Sequence, residues 1–505
     1  MKIRQNSLAK NVLTLMILSI FLKGIGFVNR IVIAYVFGTN NHTDIFYTSS
    51  GFVEAIGAIL LEGLSIGLIK IYRQSKHDRE RNEVLVTKLL FCVEITMIVL
   101  SLILFVFSRE ISIVLAPSYT GELSIILAKY IRIMGIVLLF YGITNVYSAI
   151  LQAEERFIPV KMTGTVSSVC SIVAILLLSR RMGETSMSVS FLCAAICNCV
   201  FISICTKRYL KLSFDRSVDV SAEIKQLLKM SIPLTIGLAA HEVNLIIDKS
   251  VATSIGAGAV SALSYCSVVY LLVENVIISS TITAIYPKFV EFISRNDDQG
   301  IAAQAKKTTV NIILLLMPIV AVMFFKSNEI IRVLFYRGSF NDYSLKLTEY
   351  ALKGYILGIQ FRAVRDIISR MFYAYGNTKT SMSINLISIA INIALDFLLY
   401  KSFGTFGITF ATTISLVFSG MAHYIAMCKY NPSMKVSKVK WNLLFPILIF
   451  FTVCVTANVF IVIQSNILSI IIYTMLVLFT EIVLLRLFCK EKFYEFVIIV
   501  KRLIS

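Results

Sequence analysis

NVLTLMILSIFLKGIGFVNRIVIAYV, residues 11–36, is a membrane-length apolar run that carries Lys23 and Arg30 inside it. A spanning helix needs about 20 mostly apolar residues, and this run exceeds that. An ionisable side chain at the bilayer centre costs roughly 3 kcal/mol on insertion scales, so it persists where it faces a bundle interior or a wet cavity. The same conflict recurs at 231–253, which holds Asp248 and Lys249, and at 381–399, which holds Asn392 and Asp396. Charge repeatedly placed within apolar spans reads as a transporter.

Composition agrees. The 505 residues are 57 % hydrophobic and 15 % charged, against about 25 % charged in a soluble domain. The net charge of +19 does not point to nucleic acid, because the basic residues gather in short segments between apolar runs, such as 70–88. They set topology and meet anionic headgroups. The ten cysteines are scattered, with no metal-ligand or CxxC spacing, and read as small buried hydrophobes. Lys2, Arg4 and Lys10 precede the first run without a clear cleavage site, so that run is expected to stay as a first helix.

Fourteen candidate spans follow: 11–36, 45–69, 89–107, 126–151, 159–179, 186–205, 230–253, 259–286, 308–325, 347–375, 381–399, 405–427, 441–462 and 466–485. The expected fold is an all-α polytopic membrane protein with two parallel six-helix lobes, 1–215 and 216–430, and two further helices in 431–505. Lys and Arg are concentrated in alternate connections, including 70–88, 206–229, 287–310 and 428–440. That bias places both termini in the cytoplasm. A weak internal repeat lays 36–47 (VFGTNNHTDIFY) over 254–265 (SIGAGAVSALSY), pairing Gly38 with Gly256 and Tyr47 with Tyr265. Repeat halves place transport sites near the midplane.

The chain has no P-loop, HExxH or GxSxG motif, so neither an ATP-driven pump nor a hydrolase is indicated. A membrane glycosyltransferase would need acids or His in a sizeable outer loop. The best candidate, 326–346, has four basic residues and no His. Lys23 and Arg30 stand two turns apart on one helix face and suit a phosphate-bearing cargo. Snorkelling, or pairing with Asp44, Glu54 or Glu62, is the other reading. Asn392 and Asp396, at i and i+4, can offer oxygens to a small hard cation, joined by Asp248 and Thr412. Hydrogen bonds to neighbouring helices, and a local Asp248–Lys249 pair, are the alternative. Arg362, Asp366 and Arg370 form an i, i+4, i+8 ladder that either neutralises itself or meets cargo.

Several short motifs, in order along 10–430, carry a resemblance: Lys23-Gly24-Ile25-Gly26-Phe27, Phe37-Gly38, Thr43-Asp44-Ile45-Phe46, Glu62-Gly63, Leu334-Phe335-Tyr336-Arg337-Gly338-Ser339-Phe340, Phe372-Tyr373-Ala374 and Asn377-Thr378-Lys379-Thr380. The chain resembles the MurJ (MviN) branch of the MOP flippase superfamily. The resemblance implies alternating-access transfer of lipid II, the undecaprenyl-pyrophosphate-linked peptidoglycan precursor, across the bacterial cytoplasmic membrane. It implies a transporter and not an enzyme, with a role in cell-wall biogenesis. Lys23 falls on a cavity Arg of the family and Asp44 on its outer-end Asp. Asp248, Asn392, Asp396 and Thr412 match positions resembling the sodium site of some members. The expected cargo-binding residues are thus Lys23, Arg30, Asp44, Glu62 and Arg362, with sodium as coupling ion. Asn29, Val268 and Gly57-Ala58 stand where the family pattern has basic residues, so this cavity is poorer in cations. The alternative cargoes are another lipid-linked polysaccharide unit, or organic cations exported in exchange for an ion. Lipid-linked cargo and membrane lipids are the expected partners.

Overall fold

A computed structural model describes residues 22, 24–74, 78–215, 217–435, 441–460 and 465–488. Lys23, the tail from 489 and most of the first expected span before Gly24 lie outside them. All regular structure among the described residues is helical. In order, the helices are α1 (Gly24–Phe37), α2 (Asn41–Gln74), α3 (Arg79–Val106), α4 (Ser108–Leu115), α5 (Glu122–Gly135), α6 (Val137–Ala153), α7 (Phe157–Met182), α8 (Ser186–Thr206) and α9 (Ser221–Thr253). Then come α10 (Ala259–Val273), α11 (Ser280–Ser294), α12 (Asp298–Phe325), α13 (Ser327–Phe335), α14 (Asp342–Ile356), α15 (Ile359–Ala374), α16 (Thr378–Tyr430), α17 (Trp441–Phe460) and α18 (Asn466–Phe488).

The chain is an all-α polytopic membrane protein. Length and apolarity identify eight spanning stretches among the described residues, or nine with α9, which bends by 49° between Ile232 and Gly237. That number does not itself establish fourteen spans. Two of the stretches, Phe157–Thr206 and Thr378–Tyr430, each hold two expected spans. The division falls at Gly183 (φ 54°, ψ −136°) and at Gly404 (φ 56°, ψ −135°), a backbone conformation that only glycine adopts without strain. The expected span 347–375 is two helices, α14 and α15, of 15 and 16 residues, each shorter than a spanning helix. Large apolar side chains such as Leu177, Leu398 and Phe479 are exposed, as the lipid-facing side of a membrane bundle requires.

The helix order repeats. A long helix opened by an Asp cap is followed by a short amphipathic helix and then two more helices, first as α3–α6 and again as α12–α15. The cap is the same in both copies: Asp78 accepts from Arg81 N at 3.0 Å, and Asp297 accepts from Gly300 N at 2.7 Å. Gly183 and Gly404 then close the corresponding helix pairs with nearly identical torsions.

Two compact units emerge: Met1–Ser261 with Gly338–Phe340, and Ala262–Arg337 with Asn341–Ser505. In the first, α2 lies along α9 through small residues. A Cβ at Gly63 would press on Ser231 O and Thr235, and one at Gly67 on Ser231 and Leu227. Such close backbones replace the hydrophobic effect as the source of helix association in lipid. In the second, α14 meets α16 the same way: Gly354 abuts Thr409, and Thr413 Oγ1 donates to Gly354 O at 2.7 Å. The hairpin α17–α18 packs Phe450, Cys454, Tyr473 and Val477 on Met317 and Ala321 of α12.

Nothing lies within 4 Å of a Cβ built on Gly183 or on Gly164, but only Gly183 has positive φ. Gly183→Ala should therefore cost about 1–3 kcal/mol of stability, whereas Gly164→Ala, within α7, should be neutral or add up to about 1 kcal/mol. Thermal unfolding in detergent, followed by circular dichroism, separates the two. Equal responses would contradict the turn geometry.

Candidate cargo and ion sites

The first unit gathers charge on α1, α2 and α9. The Arg30 guanidinium lies 4.7 Å from the centre of the Tyr47 ring. This cation–π contact is worth about 0.5–2 kcal/mol depending on desolvation. Lys249 Nζ donates to Tyr47 O at 3.1 Å. Gly51 makes room for it, since a Cβ there would overlap the ammonium. Arg30, Glu54, Glu242 and Asp248 are the charged groups within electrostatic reach of Lys249, and Glu54 and Glu62 are those near Glu242. Glu54 and Glu62 are exposed along α2. The cationic pair in the described residues is therefore Arg30 with Lys249, on a shared Tyr47, bordered by carboxylates. Lys23, the other expected cation, lies outside the described residues. The sequence reading gave Lys249 only a local role beside Asp248. The signal that could have promoted it was a glycine, Gly51, in an apolar span.

Asp44 is fully buried. Its Oδ2 accepts from Gly258 N at 2.7 Å, and its Oδ1 accepts from both Ser261 N and Ser261 Oγ at 2.7 Å. A carboxylate at a helix N-terminus meets orphan N–H groups and the positive end of the helix dipole together. Asn40 and Thr43 begin α2 just before it: Asn40 Oδ1 accepts from Thr43 N at 2.9 Å, and Thr43 Oγ1 from Asn40 N at 2.8 Å. Nearby, Ser339 N donates to Tyr35 O, and Ser339 Oγ to Val36 O, each at 2.9 Å. The motif around Gly338 thus holds the end of α1. Any contact between Asp44 and cargo would have to displace three hydrogen bonds.

In the second unit Arg362 pairs with Glu274 at 2.6 Å, while Asp366 stands 3.9 Å from it. The expected ladder is rearranged. Asp366 binds the adjacent Arg365 at 2.6 Å, and Arg370 lies over the Tyr373 ring at 5.5 Å. Glu274, which sequence reasoning did not single out, is buried and opens a π-helical turn, Glu274–Ser279. Wide turns of this kind are frequent at functional sites.

Asn392 and Asp396 are buried on one face of α16, with Asn392 Nδ2 donating to Asp396 Oδ1 at 3.4 Å. Thr412, in the later part of α16, donates to Ile408 O at 3.4 Å. Asp248, in the first unit, repeats the pattern: Asn244 Nδ2 donates to its Oδ1 at 3.4 Å. Asn244 also escaped the sequence reading, although the i, i+4 spacing was visible. Amide and carboxylate oxygens are hard donors, and their chemistry fits sodium or a similar ion. No group of three or more His, Cys, Asp or Glu is placed to hold a metal among the described residues.

Removing Arg362 alone should leave the Glu274 carboxylate buried against one fewer cation. Arg362→Leu should cost about 2–4 kcal/mol, and Arg362→Leu with Glu274→Leu should recover much of the loss. Thermal stability of the four proteins of the cycle measures the coupling; strict additivity would remove the pair.

Residues 33–479 match the family model described as lipid II flippase MurJ. A relative named probable lipid II flippase MurJ, from Rickettsia prowazekii (strain Madrid E), is 27 % identical over 402 residues, covering 77 % of this chain and 78 % of its own. One of the same name from Aquifex aeolicus (strain VF5) is 24 % identical over 406 residues, 77 % of each chain. Among solved structures, a lipid II flippase MurJ in an inward closed conformation is similar with a TM-score of 0.78 at 20 % identity, covering 94 % of this chain and 99 % of that one. An inward-facing multidrug resistance MATE transporter of the MOP superfamily gives 0.71 at 13 % identity, covering 82 % and 96 %.

Proposed function

Since this chain belongs to the lipid II flippase MurJ family, a family of membrane transporters and not of enzymes, we propose that it carries lipid II across the bacterial cytoplasmic membrane by alternating access. The observation that carries this reading is the family match along 33–479, across nearly all the described helices. The undecaprenyl pyrophosphate of the cargo calls for fixed cations inside the membrane. Arg30, with Lys23 and with Lys249, supplies them; Glu62 and Arg362 are the further cargo contacts of this proposal. Asp44 is also proposed to meet cargo, at the cost of its hydrogen bonds to Gly258 and Ser261. Transport requires cargo to bind the two access states differently. The termini face the cytoplasm, as the Lys and Arg bias indicates. The lobes run 1–215 and 216–430, with two helices added in 431–505.

The driving force is proposed to be a sodium gradient. Asn392 and Asp396, with Thr412 on the same long helix, are the oxygen donors of the second unit; Asp248 with Asn244 offers a second pair in the first.

One observation favours a different lipid-linked glycan as cargo. Asn29, Gly57, Ala58 and Val268 are neutral where the family pattern has basic residues. Fewer cations suit a cargo with less anionic charge than lipid II, whose pyrophosphate and peptide are both acidic.

Complementation decides between them. Expression in a strain depleted of its own lipid II flippase should restore growth and cell shape. In proteoliposomes, Arg30→Ala should reduce lipid II transfer at least tenfold, with detergent stability within about 1 kcal/mol of the parent. Failure to complement, together with transfer of another undecaprenyl-linked glycan, selects the second reading. Asp396→Asn should abolish any stimulation of transfer by sodium over potassium. Equal rates in the two salts would end the sodium proposal while leaving the cargo assignment untouched.

A further inference from the structure

A cleft of about 560 Å³ lies in the first unit where α6 and α8 meet the chain that leaves α8. Tyr147 of α6, Ser203 and Thr206 of the last turn of α8, and Lys207, Leu210 and Lys211 beyond it form its walls. The local backbone explains how two cations come to one mouth. Lys207 N donates to Ser203 O at 3.1 Å, ending α8, and Tyr209 N and Leu210 N then both donate to Thr206 O, at 2.8 and 3.2 Å. This turn buries Leu210 and leaves Lys207 and Lys211 exposed on either side of it.

Neither lysine side chain forms an ion pair or hydrogen bond among the described residues. The acids of the following connector are engaged locally. Asp215 accepts from Ser217 N and Ser217 Oγ, each at 2.7 Å, and these bonds hold its carboxyl below the usual range. Asp219 accepts from Ser221 in the same way. The connector is also fixed to α3, since Ser213 N donates to Thr87 Oγ1 at 2.9 Å and Lys88 Nζ to Val218 O at 3.0 Å. Two full positive charges outweigh the roughly half negative charge at the C-terminal end of α8. The mouth of the cleft is therefore electropositive.

Its outer side is apolar. Ile204 and Leu212 line the cleft and are 67 % and 51 % exposed. Val200, one turn earlier on α8, and Phe214 on the connector continue that surface and are likewise exposed. Cations on one side, with a lipid-facing hydrocarbon surface on the other, match an amphiphile with an anionic head.

We propose that this cleft is a binding site for one anionic glycerophospholipid of the surrounding bilayer, with Lys207 and Lys211 holding its phosphate and Ile204, Leu212 and Phe214 lying against its acyl chains. The volume suits a phosphoglycerol headgroup; Ser203 and Thr206 give their hydroxyl hydrogens to Cys199 O and Ile202 O, so the two lysines are the donors left for the phosphate. The site lies outside the residues proposed to handle cargo, so it stands whichever glycan is carried.

Native mass spectrometry of the full chain in detergent tests this, with phosphatidylglycerol and phosphatidylcholine titrated separately. Phosphatidylglycerol should bind first, as a single preferred adduct. Lys207→Gln with Lys211→Gln should weaken it by about tenfold or more, at about 1 kcal/mol for each basic residue near the headgroup. Lys207→Arg with Lys211→Arg should retain it. Arg208→Gln, which removes an exposed charge next to the cleft but not in it, should leave it unchanged. Equal binding of the two lipids would overturn the proposal. So would an Arg208→Gln loss as large as that of the double variant, which would mean unspecific surface charge. Displacement of the adduct by an equal concentration of undecaprenyl pyrophosphate would reassign the cleft to cargo and equally overturn it.

Discussion

A single buried carboxylate organises the region where α2 begins. Asp44 gives its oxygens to two backbone N–H groups and one hydroxyl of the 258–261 turn. Buried away from water, such groups would cost about 1–3 kcal/mol each if left unmet. The surrounding residues depend on that placement. Thr39 packs where a side chain on Gly258 would go, and Asn40 and Thr43 cap each other to start α2 at the register that delivers Asp44. A shift of one residue in α2 would turn the carboxylate away from all three donors.

Charge within the membrane is handled in two ways. On α15 the arginines close on nearby acids: Arg362 on Glu274, Arg365 on Asp366. On α1 and α9 the cations are held by an aromatic face and a backbone carbonyl, partners that orient charge without cancelling it. An ammonium or guanidinium held so retains most of its attraction for a phosphate. In the proposed transport role the acids near Lys249 temper that attraction, because cargo bound too tightly on one side is not released on the other.

The apolar spans were legible because hydropathy over membrane length needs no tertiary information. So were the faces shared by Asn392 and Asp396, since i, i+4 geometry is local. What escaped depended on distant partners. Glu274 lies far in sequence from Arg362, and nothing near either announces the other. Of the i, i+4, i+8 ladder the Arg362–Asp366 step is present at 3.9 Å, but each partner has a closer one, Glu274 for Arg362 and Arg365 for Asp366. Asp44 was expected at a cargo site because its position matched a family acid, and only the fold reveals its three hydrogen bonds. Gly51 went unnoticed for the same reason, since the lysine it seats, Lys249, lies far along the chain.

The matched torsions at Gly183 and Gly404 belong to two stretches that are alike in frame and unlike in charge. The Asp caps at 78 and 297 and the short helices α4 and α13 repeat with them. The charged positions do not repeat: Arg30 has Asp248 at its counterpart position, and Asp44 has Ala262. One frame thus carries a cation in one copy and an anion in the other, so the copies are chemically distinct although they fold alike.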